Sequence, residues 1–161
     1  MNNTIQHNIN QLIIKKIKTY CAAKERCIDD VVRKLKTLGC KQNEIHEIVN
    51  QLSKENFINE ERFASIFAQN KFKLNKWGKI KIIKTLKSKN INEKIITNAI
   101  ETINNEEYET MLIKIIQNRI KAKNIDPNKY NELQIQKIAN YALQKGFEEE
   151  LIFKILNSIF I

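Results

Sequence analysis

Glycine and proline are nearly missing from this chain of 161 residues, which has three Gly (Gly39, Gly78, Gly146) and a single Pro (Pro127). Sandwiches and barrels use such residues at every turn, so that class is excluded and an all-α fold is expected. A phosphate-cradling loop needs two or three Gly within a few residues, and these three lie far apart, so no nucleotide site and no cofactor is expected. Histidine is scarce too, with only His7 and His46, and no Gly-x-Ser-x-Gly occurs, which leaves zinc and serine hydrolase layouts without their parts. Cys21, Cys27 and Cys40 form an odd set without a Cys-x-x-Cys pair. They read as buried or half-buried thiols in a reducing cytoplasm, not as a disulfide framework or a metal site. Long apolar runs are absent as well, and the stretch from Met1 to Gln11 is rich in Asn, so neither a signal peptide nor a membrane span is expected.

What is abundant is positive charge. Lys and Arg number 28 against 18 Asp and Glu, a formal net charge of +10, and a polyanion or an acidic protein surface is the natural partner. Its distribution argues against lysines that are merely solvated. Lys71, Lys73, Lys76, Lys79, Lys81, Lys84, Lys87 and Lys89 follow one another with no acidic residue between them. On a helix beginning near Gly78, Lys81, Lys84 and Ser88 share a face opposite Ile82, Ile83 and Leu86. A second basic set comprises Lys24, Arg26, Arg33, Lys34 and Lys36. Trp77, between Lys76 and Lys79, reads as an anchor at a helix junction, with stacking on a base as the alternative. The adjacent acids Asp29-Asp30 and Glu60-Glu61 sit at expected helix starts and suit the helix dipole better than acid–base catalysis.

Hydrophobic residues recur at helical spacing almost throughout. Leu12, Ile13, Ile17 and Tyr20 mark a first short helix, Val31, Leu35 and Leu38 a second, and Ile45, Ile48, Val49 and Leu52 a third begun by Asn43 or a neighbour. A second triplet starts at the capping residue Asn59, with Phe63, Ile66, Phe67 and Leu74 as its stripe, and continues through Ile80 to Leu86 and a helix opened by Asn92. The third comprises Tyr108 to Ala122, Leu133 to Gln144 and Glu148 to Phe160. Gly39, Asn90 and Gly146 fall in one column, spaced by 51 and 56 residues. Leu35, Leu86 and Ala142 stand four residues before it, and Ile45, Ile96 and Ile152 six after. Gly or Asn at the column suits a left-handed helix cap. Gln69-Asn70-Lys71-Phe72-Lys73 also echoes Gln117-Asn118-Arg119-Ile120-Lys121. The expected organisation is a flexible N-terminus over 1–10, then three-helix repeats over 11–56, 57–104 and 105–161, in an elongated, curved array. Such a unit buries too little alone, so neighbours must pack together. Phe63, Phe67, Ile83, Leu86, Ile96 and Ile100 are expected in the core of the middle unit.

The segment Phe57-Ile58-Asn59-Glu60-Glu61-Arg62-Phe63-Ala64 resembles the central signature of the RecX family, bacterial regulators of the recombinase RecA. The match continues through Trp77-Gly78, Ile80 or Ile83, Leu86 and Lys89-Asn90-Ile91. Tyr20, Ala23, Arg26 and Arg33-Lys34-Leu35 are similar to the family's first-repeat pattern. Asn59 stands where the family usually has Asp, and Asn90 where it usually has Gly, both conservative for a cap and a left-handed turn. The resemblance implies a monomeric modulator without a catalytic centre that binds RecA filaments on DNA and commonly inhibits them. The surface expected to meet RecA and single- or double-stranded DNA comprises Lys24, Arg26, Arg33, Lys34, Arg62, Lys71, Lys73, Lys76, Lys79, Lys81, Lys84 and Lys87. A plain helical nucleic-acid-binding module, indifferent to RecA, is the alternative.

Overall fold

The computed structural model describes the backbone of residues 2–126 and 128–160, with side chains described from Gln11 onward. Among the described residues the regular elements are all helices: α1 (Asn2–Ala23), α2 (Ile28–Thr37), α3 (Gln42–Lys54), α4 (Glu60–Lys73), α5 (Lys79–Ser88), α6 (Glu93–Glu101), α7 (Asn105–Ala122), α8 (Glu132–Lys145) and α9 (Glu149–Ile159). The backbone over 2–10, expected to be a flexible lead, is the first part of α1, which is therefore long; Met1 lies outside the described residues.

The connections follow from a few polar residues. Asn59, Asn92, Asn104 and Asn131 each accept a backbone N–H of the helix they precede, from Arg62, Lys94, Glu107 and Gln134. Helix ends turn at residues of positive φ: Gly39 at 82°, Asn90 at 60° and Gly146 at 87°. The paired bonds at the three are alike. Gly39 N–H donates to the Lys36 carbonyl and Cys40 N–H to Leu35; Asn90 and Ile91 repeat this onto Lys87 and Leu86, and Gly146 and Phe147 onto Leu143 and Ala142. Each is a Schellman turn, in which the left-handed residue lets the chain satisfy carbonyls that the helix leaves orphaned. Lys76 and Asn124 also have positive φ, at 56° and 50°, and stand in the register of the Gln69 and Gln117 echo.

Helices pack mainly within consecutive triplets, but the apolar interior forms two bodies. Ile17, Val31, Leu35, Ile45, Leu52 and Ile58 build the core of the first unit. The middle and third units share one larger core, which also takes in Cys27. It is continuous through the aromatic series Phe72, Tyr108 and Phe147, with centroid separations of 5.6 and 5.0 Å.

Several expected core positions lie nearer the surface. On α4 the buried line is Ala64, Ala68 and Phe72, at strict four-residue steps with Phe63 beside it. Its small members allow the close packing of α4 on α6, so Phe67 sits on the flank half-buried and Ile66 is exposed. Leu74 is 76% exposed, because the turn at Lys76 returns the chain through a bond from Trp77 N–H to the Lys71 carbonyl. Trp77, not Leu74, thereby packs on the core. Ile83 and Ile100 are likewise half-buried, and Ile82 takes the fully buried place on α5. On α1, Leu12 falls one residue off the stripe of Ile13, Ile17 and Tyr20 and is 61% exposed.

Candidate interaction surface

The units are joined head to tail, and this joining decides which cations remain free. Between the middle and third units, the N-terminus of α5 meets the turn that follows α8. Gly78 N–H donates to the Lys145 carbonyl at 2.8 Å, Ile80 N–H to the Gly146 carbonyl at 3.0 Å, and Lys79 N–H to the Tyr108 hydroxyl at 2.9 Å. That hydroxyl donates in turn to Glu148 at 2.7 Å. Burial, seconded by the Glu148 carboxylate, pushes the Tyr108 hydroxyl's pKa well above its ordinary value, so it stays protonated and keeps this bond. The orphan donors of one helix thus meet the terminal carbonyls of another, with the two dipoles opposed in sign.

The first and middle units meet in the same relation but through side chains. Ile28 begins α2 as Lys79 begins α5, and its backbone holds the carboxylate of Glu60, the position that Tyr108 occupies one unit later. Burial pushes the Glu60 carboxyl up while this bond pulls it down. Lys89, in the turn after α5, donates to Asp30 at 2.8 Å, and Arg62 donates to Glu25 at 2.7 Å. Burial pushes the Asp30 carboxyl up, but hydrogen bonds from Lys89, Cys27 and Arg33 outweigh it, and the net shift is downward. Burial also raises the Cys27 thiol, to about 11.

A carboxylate held below its unfolded value stabilises the fold above about pH 4, and that stability is lost as pH falls through the folded value. Urea unfolding between pH 6 and pH 2 is therefore expected to show Asp30→Asn less stable than the parent at pH 6, with the gap closing toward pH 2. A gap independent of pH would show that Asp30 is not acting as a paired carboxylate.

The twelve basic residues expected on the surface divide by environment. Arg33 pairs with Asp29 and Asp30, Arg62 with Glu25, and Lys87 with Glu93 at 2.7 Å. Part of their charge is therefore spent inside the protein, on carboxylates that lie outside the basic segment. Arg26 lies 4.0 Å over the Tyr20 ring and Lys34 5.9 Å from it. Lys71 and Lys81 stand 4.8 and 4.7 Å from the centroid of Trp77, so that half-buried ring carries two ammonium groups beside the Gly78 junction. Lys79 reaches Asn105 and covers Tyr108. Lys24, Lys73, Lys76 and Lys84 are exposed, with no carboxylate within 4.0 Å among the described residues.

Basic residues of the third unit extend this surface, although sequence reasoning passed over them. Lys76 lines a cleft with Asn118, Arg119, Tyr141 and Lys145, and Lys81 Nζ approaches the Gln144 carbonyl at 3.4 Å. The only signal was the echo that puts Arg119 in the register of Lys71. Among the described residues no group of three or more His, Cys, Asp or Glu could hold a metal, and no helix is long and apolar enough to cross a membrane.

Comparison with known proteins agrees with this architecture. Residues 59–100 match the family model described as RecX, second three-helix domain. Proteins named Regulatory protein RecX from Clostridium beijerinckii and Clostridium acetobutylicum are 30% and 28% identical, each over 88% of this chain and over 63% and 70% of their own lengths. The namesake from Oceanobacillus iheyensis is 24% identical, and the chain spans half of its length. Among solved structures, RecX from Lactobacillus salivarius superposes with a TM-score of 0.82 at 20% identity, covering 95% of this chain and 97% of that one. The likeness in structure establishes the fold of three-helix repeats, and the sequence matches make the chain similar to proteins of the RecX family.

Proposed function

We propose that the protein is a regulator, in the first place an inhibitor, of RecA recombinase, binding RecA filaments on DNA in the cytoplasm as a single copy and without catalysis of its own. The observation that carries the reading is the run of eight lysines from Lys71 to Lys89, which lies in the unit matched by the family model. Lys73, Lys76 and Lys84 in that run face solvent without a carboxylate partner among the described residues. A DNA-bound filament presents phosphates and carboxylates in a regular series, and exposed cations on linked helical units suit such a target. The relatives' name supports a regulatory role.

The test is RecA ATPase on single-stranded DNA, titrated with this protein at several salt concentrations. The parent is expected to suppress turnover. Changing Lys73, Lys76 and Lys84 together to Glu is expected to weaken suppression about tenfold or more, and to flatten its salt dependence by about 0.7 logarithmic units for each phosphate no longer engaged. Stability should change by only about 0.5 kcal/mol per site, because these side chains hold nothing in place. These three are more informative targets than Lys81 and Lys87, since Lys81 rests on Trp77 and Lys87 pairs with Glu93. Equal potency of variant and parent at every salt would remove this segment from the binding surface. DNA binding without any effect on RecA would favour the plain nucleic-acid-binding module.

A further inference from the structure

Two clefts, lined almost wholly by the third unit, adjoin at the residues they share, Arg119 and Tyr141, and together make a trough with that pair at its middle. The larger, about 470 Å³, lies between α7 and α8 and bears Lys123 and Lys137. The smaller, about 330 Å³, leads to Lys145 and Lys76. Each has the size of a small-ligand site. Ile125 and Ile138, 8% and 1% exposed, floor the first cleft. Arg119 lies 4.5 Å over the ring of Tyr141, and Lys145 lies 5.2 Å from the same ring. Among the described residues no carboxylate lines either cleft. The remaining polar lining is amide: Gln134, Asn140 and Gln144 in the first cleft and Asn118 in the second.

We infer that this trough is a binding site for single-stranded nucleic acid, with successive phosphates on Lys123, Lys137, Arg119 and Lys145 and the strand leaving past Lys76 toward Trp77. The proposal rests on the reading above, which it extends from the middle unit to the third. A linear polyanion suits the arrangement because the cations are spread over two adjoining clefts and are not gathered in one. A groove of cations that tracks the backbone is what sequence-independent strand binders present, and Arg119 stacked on Tyr141 adds a planar cation on which a base can lie. Side-chain amides offer both donors and acceptors, which base edges and sugars can use. An acidic protein face would leave their donors and acceptors partly unmatched above an apolar floor. Arg119 keeps one guanidinium face on Tyr141, and its edge can take a phosphate in a bidentate fashion.

The probe is fluorescein-labelled oligothymidylate, followed by anisotropy without RecA between 50 and 300 mM salt. Lys123→Glu with Lys137→Glu is expected to weaken binding about tenfold at the lowest salt and to reduce the salt slope by about 1.4, the equivalent of two single-strand phosphates. Lys123→Gln with Lys137→Gln should give a smaller loss of affinity with the same fall in slope. Lys15→Glu with Lys16→Glu, both exposed on α1, carries the same change in net charge and is expected to leave the slope unchanged. Equal losses in the trough pair and the α1 pair would overturn the site and leave only an effect of net charge. So would an unaltered affinity of the trough pair. If the trough pair lost RecA inhibition but kept the oligonucleotide, the trough would be a seat for acidic protein and the proposal would fail. Oligonucleotide binding that depends on the trough, with no effect of the parent on RecA ATPase, would uphold this site while sinking the proposed function.

Discussion

Gly78→Ala is expected to lower stability by about 3 kcal/mol or more, although alanine suits the local backbone. Gly78 has φ −76° and ψ 163°, open to any residue. The obstacle is the neighbouring unit, because a Cβ there would lie 2.1 Å from the Gly146 carbonyl oxygen and 2.3 Å from the Phe147 nitrogen. Overpacking costs about 1–3 kcal/mol where side chains can yield. Here the neighbour is backbone, already held by the bond from Gly78 N–H to Lys145. Gly39→Ala is the control: its φ is +82°, yet nothing lies within 4 Å of the added carbon. Only the left-handed strain of about 1–2 kcal/mol is expected there. Gly146→Ala combines both costs, with φ +87° and a Cβ 2.3 Å from that of Lys81. Chemical unfolding of the three variants orders them, and a Gly78→Ala no less stable than Gly39→Ala would mean that the units do not meet as described.

Phe72→Ala should cost about 3–5 kcal/mol, the range for a fully enclosed ring. Phe72 is 1% exposed and lies 5.6 Å from Tyr108, so its loss opens a void in the core that two units share. Phe67→Ala is expected to cost clearly less. That ring is half-buried beside Phe63, with Lys71 over it at 5.4 Å, and water can fill the space it leaves. Equal losses in urea melts would show that the buried line of α4 runs through Phe67 after all.

The pair illustrates what the amino-acid order discloses about this fold. Gly39, Asn90 and Gly146 were legible as turns because a left-handed residue restricts side-chain type, and that restriction survives in a single sequence. Asn59 and Asn92 were legible as caps for a similar reason. Depth within a stripe was not, since Ala64 and Ala68 mark the centre of α4 by being small, and size alone points to Phe67. For the surface, the lysine run was plain. Its internal partners were not, because Lys89 finds Asp30 59 residues away. Arg119 and Lys123 close α7, Lys137 lies beyond Asp126 and Glu132 on α8, and only the packing of the two helices sets them around one trough.

Helix α5 has neither an acidic residue in its first turn nor a capping side chain. Its leading N–H groups are satisfied by the carbonyls of Lys145 and Gly146 and by the hydroxyl of Tyr108, all from the unit that follows. During synthesis from N- to C-terminus, the middle unit therefore stays incomplete until residues some sixty positions later have been made. The turn at Gly146 in the third unit is thus part of the start of α5 in the middle unit, and neither unit is completed without the other. Chain truncated after α6 would expose the open end of α5 and the facing side of Phe72 to water, leaving unpaired donors and an apolar face on which a second chain could settle.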